Sequence, residues 1–307
     1  MDPIRIAVVG MGKIARDQHL PAIAGTPGLV LAATVSPNGA GVDGVPHFTS
    51  LDALVAGGVA IDAVALCTPP QVRYGLAVAA LSRGLHVFLE KPPGATLSEV
   101  RALESRVGAG VTLFASWHSR YAAGVEPARR WLAERRIERV EIVWREDVRV
   151  WHPGQEWIWQ PGGLGVFDPG INALSIATAI LPRPTFLRDA VLDLPANRAA
   201  PIAARLSLCD TADVPVTMDL DWRQTGPQTW DITIDTDAGR CRLSQGGAVL
   251  TLPDGEHRAE DREYPGLYAR FAELIRDGRS DVDLAPLRLV ADAFLRGRRE
   301  TVDAFHD

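Results

Sequence analysis

The sequence, 307 residues long, is poor in cysteine, tyrosine and methionine, with three, four and three of each. Cys67, Cys209 and Cys241 are odd in number, scattered and without Cys-x-x-Cys spacing, which argues against a disulfide scaffold and a structural zinc site. No stretch reaches the roughly 18 to 20 uninterrupted apolar residues of a membrane span. The opening Met1-Asp2-Pro3-Ile4-Arg5 lacks the charged-then-apolar layout of a signal peptide, so a reduced, cytoplasmic protein is expected. Neither sign of charge dominates: 32 Lys and Arg stand against 38 Asp and Glu, a net charge of −6. That balance offers no broad footprint for nucleic acid. The seven His are dispersed, and there is no His-Glu-x-x-His pair, no Cys/His cluster and no Gly-x-Ser-x-Gly elbow. Neither a metal centre nor a serine nucleophile is expected.

What remains is globular. Hydrophobic residues make up 47% and charged residues 23%, and the length suits two domains. The first part alternates short apolar runs with helical segments: strands at Ile4–Val9, Leu29–Ser36, Ile61–Cys67, His86–Leu89 and Val111–Ala115. Helices are expected at Ile14–Ala24, Val72–Arg83 and Ser98–Val107, the last capped by Ser98. This is the pattern of a doubly wound parallel sheet covered on both faces. Near residue 120 the rhythm changes. After a helix at Val125–Arg136 come longer alternating strands at Val140–Val150, Leu187–Leu194, Ile202–Cys209, Val216–Arg223 and Trp230–Asp235. These predict an open, mostly antiparallel sheet, closed by helices at Leu267–Asp277 and Leu287–Arg298. The expected division is residues 1–118 for dinucleotide binding and 119–307 for substrate.

The first strand runs into Gly10-Met11-Gly12-Lys13-Ile14-Ala15, the Gly-x-Gly-x-x-Ala form of the dinucleotide fingerprint. Gly10 permits the tight turn, Gly12 lets a pyrophosphate approach the backbone, and Ala15 allows close helix–strand packing. An acid at the end of the second strand would bond a ribose 2′-hydroxyl; here stands Val35-Ser36-Pro37-Asn38, with no acid before Asp43. Ser36 could donate to a 2′-phosphate, but no Arg stands near it in the sequence, so dual use of NADP and NAD is expected. Ser36-Pro37-Asn38 reads equally well as a turn. After the strand His86–Leu89 comes Glu90-Lys91-Pro92, at a strand's carboxyl end where doubly wound sheets bind ligands. Lys91 is placed there to donate to a reacting oxygen or to act as a base; by itself it also reads as a solvated residue in a proline turn.

Between residues 144 and 159 lie four of the eight Trp, interleaved with Glu146, His152 and Glu156. An indole beside carboxylate and imidazole suits the apolar C–H face and hydroxyl ring of a sugar. Trp144 reads as sheet packing, whereas Trp151 and His152, at a strand end before Pro153-Gly154, read as a pocket wall. Asp168 and Asn172, four apart on a helix, share one face. Asp168-Pro169-Gly170 also reads as an N-cap with Pro at the first helical position.

The fingerprint, the Cys67-Thr68-Pro69-Pro70 loop and the Glu90-Lys91-Pro92 turn resemble the glucose–fructose oxidoreductase, inositol dehydrogenase and rhizopine-catabolism (Gfo/Idh/MocA) family over nearly the whole chain. Four longer runs, Lys13–Pro21, Trp117–Arg120, Trp151–Gln155 and Gly163–Asn172, resemble the subgroup that oxidises L-arabinose and D-galactose at C1. The family usually carries Asp and His four apart where this chain has Asp168 and Asn172. Asn cannot serve as a base near neutral pH, though it can orient a hydroxyl, so proton removal falls to Asp168 or Lys91. The resemblance implies oxidation of an aldose to its lactone with NAD(P)+. It implies Lys91, Asp168 and Asn172 as catalytic residues, and sugar contacts from Lys91, His118, Glu146, Trp151, His152, Asp168 and Asn172. Cofactor contacts would come from Gly10, Met11, Gly12, Lys13, Ile14, Ser36, Cys67, Thr68, Pro69, Pro70, Glu90 and Lys91. Another polyol or sugar substrate of inositol or xylose type, or a sugar- or NADP-sensing module without turnover, are the alternatives. The partner expected is a small aldose, with the open sheet as a candidate homodimer surface.

Overall fold

The computed structural model describes residues 2–306, and the chain divides into two compact units. Of the described residues, the first comprises 2–118 together with Tyr264–Leu284, the second Ser119–Glu263 together with 285–306.

In the first unit six strands form a parallel sheet: β1 (Ile4–Val9), β2 (Leu29–Val35), β3 (His47–Phe48), β4 (Ala63–Leu66), β5 (His86–Leu89) and β6 (Leu113–Ala115). Their spatial order is β3-β2-β1-β4-β5-β6. The order reverses between β1 and β4, so a crevice opens beyond the carboxyl ends of those two strands. The strands are apolar on both faces, with Val8, Val64, Ala65, Val87 and Phe88 wholly buried, as helix cover on each side requires. The helix Leu97–Glu104 is capped by Thr96, two residues before the expected Ser98, in a reciprocal box with Glu99.

The expected single cut at residue 118/119 does not hold. The helix Glu263–Asp277 places Tyr264, Leu267, Tyr268 and Phe271 in the core of the first unit. The Tyr268 ring stacks on Phe88 at 5.0 Å, and Phe271 meets Phe88 and Phe114 at 5.5 and 6.0 Å. Asp281 then pairs with the free edge of β6: Ala115 N–H donates to Asp281 O and Asp281 N–H to Leu113 O. The physical reason is burial. An aromatic stripe of this kind gains about 1.5–3 kcal/mol per large side chain removed from water, and β6 offers an edge to cover.

The second unit is built on nine strands: β7 (Ile137–Arg145), β8 (Thr185–Pro195), β9 (Ala203–Asp210), β10 (Pro215–Asp221), β11 (Thr229–Thr236), β12 (Gly239–Ser244), β13 (Val249–Leu252), β14 (Gly255–Arg258) and β15 (Arg298–Val302). Their order is β14-β13-β12-β11-β7-β10-β9-β8-β15. Only β10–β7 and β15–β8 pair in parallel. The sheet is thus mixed and mostly antiparallel. The helices Phe167–Ile180 and Ala285–Arg296 pack together in this unit, with Phe167 and Phe294 rings at 5.4 Å. Gly170 lets the first of them lie on β10, since a Cβ there would meet Leu220 Cδ1 at 2.6 Å. Alternate side chains of the sheet carry paired charges such as Arg145–Asp219 at 2.8 Å and Arg242–Asp231 at 2.7 Å. Among the described residues no helix is long and apolar enough to cross a membrane.

Candidate active site

The turn after β1 meets the loop after β4. Gly10 has φ +95°, and a Cβ there would lie 2.9 Å from Thr68 N and 3.0 Å from the Cys67 carbonyl carbon. Only glycine serves both demands. At Gly12, by contrast, a Cβ would meet nothing within 4 Å. The backbone is therefore open on the side facing the start of the helix, where a pyrophosphate belongs. Among the described residues the buried Thr68 hydroxyl finds no hydrogen-bond partner. An open glycine cradle beside an unsatisfied hydroxyl fits a dinucleotide. Of the fingerprint residues, Ala15 is fully buried as expected and Met11 is nearly so. Lys13 pairs with Asp17, while Ile14 is exposed.

Arg73 holds this region, although nothing in the sequence singled it out. It sits in the helix Pro70–Leu81, is 2% exposed, and its guanidinium donates to the carbonyls of Thr68, Glu90 and Pro92. One cation thereby ties the loop after β4 to the turn after β5. A helical register that aims a charged side chain inward was the available clue, but it is invisible until the loops are placed.

Glu90 is 3% exposed and occupies the centre of a buried polar cluster. It accepts from the Tyr264 hydroxyl at 2.5 Å and from the Lys91 backbone N–H. The His19 ring has Nε2 at 3.5 Å from Glu90 Oε1, and its Nδ1 is 2.7 Å from the Tyr268 hydroxyl. His118 stacks on Tyr264 at 5.3 Å. Burial alone would raise the Glu90 pKa, but His19, His118 and Lys91 outweigh it and hold the carboxyl far below its usual range. Burial would likewise lower His19, yet the Cys67 thiol and Glu90 carry it from 6.5 up to about 10. A raised folded pKa means that His19 stabilises the fold fully below about 6.5, and that this contribution is lost as pH rises towards 10. The melting temperature is expected to decline across that interval and His19→Asn to flatten the decline. An equally steep decline in the variant would mean that His19 is neutral in the folded protein.

In the second unit, β7 ends at Arg145, earlier than the expected Val150. Asp147 accepts from Arg149 N and caps a helical turn, Val148–Trp151, that carries Trp151 and His152. A carboxylate two residues past the strand thus turns the chain. The His152 Nε2 comes to 3.8 Å from Glu146 Oε1 and 3.6 Å from Asp168 Oδ2. Glu146, 3% exposed, accepts from two indoles: Trp222 Nε1 at 3.1 Å and Trp230 Nε1 at 2.8 Å. Trp151, 41% exposed, leans on Trp230 at 4.9 Å, and His152 lies against Trp222 at 5.3 Å. The aromatic wall is therefore shared between Trp151 and Trp230, which lies more than 60 residues later, while Trp222, Trp144 and Trp159 are buried behind it or elsewhere in the unit. Trp144 packs the sheet against Trp230, as expected.

The cap reading of Asp168 does not survive. The helix starts at Phe167 with Val166 as N-cap and without a side-chain cap bond. Gly165, φ +53° and with no room for a Cβ (Pro201 O would be 2.3 Å away), bends the chain into that helix, and Asp168 N–H donates to Gly165 O at 2.8 Å. The carboxylate, 2% exposed, is turned to His152 instead. Asn172 follows one turn later on the same helix, half-buried. Lys91 and His118 belong to the first unit, and Glu146, Trp151, His152, Asp168 and Asn172 to the second. Among the described residues no group of His, Cys, Asp or Glu could hold a metal ion.

Residues 4–109 match a family described as the GFO_IDH_MocA oxidoreductases with an NAD-binding Rossmann fold. Over its whole length the chain is 47% identical to the galactose 1-dehydrogenase of Pseudomonas fluorescens, covering all of both proteins. The crystal structure of D-galactose-1-dehydrogenase from Rhizobium etli is 58% identical and superposes with a TM-score of 0.95, covering 100% of this chain and 99% of that one. A 3-ketoreductase from Actinomadura kijaniata, in complex with NADP, shares the fold at 19% identity, with a TM-score of 0.81 over 98% of this chain and 100% of its own. The glycine cradle, the six-strand order and full-length relatedness converge on one conclusion: the chain belongs to the Gfo/Idh/MocA family and is an NAD(P)-dependent oxidoreductase.

Proposed function

We propose that the chain is an aldose 1-dehydrogenase that oxidises the C1 hydroxyl of a pyranose of the L-arabinose, D-galactose and D-fucose class to the aldonolactone. One observation carries this reading: His152 stands between the buried carboxylates of Glu146 and Asp168, beside the Trp151–Trp230 surface. Indole faces take the apolar side of a sugar ring, and a carboxylate–imidazole row takes its hydroxyls. The galactose 1-dehydrogenases to which the chain is similar support the substrate class.

NAD(P)+, when bound, supplies the acceptor for the C1 hydride. The protein's part is to orient and to move one proton. Asp168 takes the C1-hydroxyl proton, directly or through His152. Lys91, on the turn after β5, is the donor that would stabilise a developing oxyanion. Asn172 orients a neighbouring hydroxyl as donor or acceptor. Gly10 to Ile14, Ser36, Cys67 to Pro70 and the Glu90-Lys91 turn hold the dinucleotide. The two electrons leave C1 with its hydrogen and the proton passes to the protein, so an aldonolactone is the product.

Initial rates of nicotinamide reduction should be highest with L-arabinose, D-galactose or D-fucose, and low with D-xylose and myo-inositol. Turnover of inositol without turnover of any aldose would overturn the assignment. Asp168→Asn should lower kcat by about 100-fold, the usual scale of a positioned proton acceptor.

A further inference from the structure

No arginine follows β2 in the sequence, yet the fold brings one there. Arg16, in the helical turn Ala15–His19, lays Nη2 on the carbonyl of Ala40, 24 residues away. The loop that it touches is pressed against the fingerprint: a Cβ on Gly39 would lie 2.8 Å from Ser36 Oγ and 3.2 Å from Met11 Cβ. Ser36 is fixed in turn at the end of β2, its N–H donating to Phe48 O at 3.0 Å. The nearby cation Lys13, two residues before this turn, is engaged by Asp17. Arg16 is exposed, and among the described residues no carboxylate pairs with it. The stretch from Ser36 to Val42 contains no acid.

We propose that Arg16 and Ser36 form the recognition site for a ribose 2′-phosphate, so that the chain selects NADP over NAD. The proposal rests on the dinucleotide reading of the glycine turn and extends it to the ribose. A guanidinium carries five N–H groups in a fixed fork, and the single bond to Ala40 leaves donors for a phosphate dianion. A serine hydroxyl adds a donor where an acid would repel that dianion and favour the 2′-hydroxyl of NAD. The Ala40 carbonyl acts as a rest that holds the long side chain beside the loop and so reduces the entropy lost on binding.

Calorimetric titration with NADP+ and NAD+ tests the site without turnover. The wild-type protein should bind NADP+ at least about tenfold more tightly, the scale of one charge-assisted pair. Arg16→Ala should reduce the NADP+/NAD+ affinity ratio by roughly 10- to 100-fold, and Ser36→Asp should invert it. Raising the salt concentration should narrow the ratio in the wild type more than in Arg16→Ala. Because Arg16 is exposed, the melting temperature of the free protein reports that the variant is folded. Equal affinities in the wild type, or an unchanged ratio in Arg16→Ala, overturn the proposal. Failure of the wild type to bind either dinucleotide overturns the reading on which it rests as well.

Discussion

Lys91→Ala is expected to lower kcat about 1,000-fold, at the upper end of the loss from removing one donor to a developing oxyanion. The turn that presents Lys91 is held from two sides. Glu90 anchors the Lys91 N–H and the Tyr264 hydroxyl, and Arg73 binds the carbonyls of Glu90 and Pro92 on either side of the lysine. The ammonium is thus carried on backbone that cannot drift, which is what preorganised stabilisation demands. Loss of the amine should act on the chemical step far more than on dinucleotide affinity, because the glycine cradle and the Thr68 loop remain in place. Pre-steady-state and steady-state absorbance of the reduced nicotinamide separates the two. Turnover within tenfold of wild type would remove Lys91 from the chemistry.

The largest effect on stability is expected from Arg73→Ala. Truncation leaves three buried carbonyls without their donor, and hydrogen bonds to a charged group contribute about 1.5–3 kcal/mol each. Since water enters part of the space and the losses do not add, a net cost of about 3–5 kcal/mol is reasonable. For a protein of this size that lowers the melting temperature by about 5–8 °C. Arg73→Lys should recover only part of it, because a point charge cannot reach three carbonyls as a planar fork does. Hydrogen exchange should rise first at Thr68 and at Glu90 to Lys91, the segments that Arg73 joins. A melting temperature within 2 °C of wild type in Arg73→Ala would show that the clamp contributes little.

Much of the first unit could be read from the chain alone. Ile4–Val9 and His86–Leu89 are strands with the expected limits, and Gly10 and Ala15 occupy the positions that the fingerprint assigns them. Short runs buried on both faces announce themselves by continuous hydrophobicity. The strands β12 to β15 were not expected. Gly239–Ser244 and Gly255–Arg258 are short, polar on exposed positions and glycine-led, so period-two alternation is weak there. β15, Arg298–Val302, is almost wholly charged or polar and pairs in parallel with β8. Trp222 and Trp230 lie outside the sequence cluster at residues 144 to 159, and no local pattern marks them. The register of β11 against β7, with Trp230 opposite Trp144, brings the Trp230 indole to Glu146.

By itself the sequence determined the fold class, the glycine turn, the lysine at a strand end and the pairing of Asp168 with Asn172 on one helix. These depend on residue type and local period, which act over a few positions. Only the tertiary structure decided that Tyr264–Leu284 returns to the first unit, that Arg73 bridges two loops, that Asp168 faces His152 instead of capping its helix, and that Arg16 reaches the loop after β2 at Ala40. Each is a contact between segments distant along the chain or a choice between two uses of one side chain. Such contacts are set by which surfaces bury one another and which buried polar groups must find partners, and neither is encoded in any single stretch of sequence.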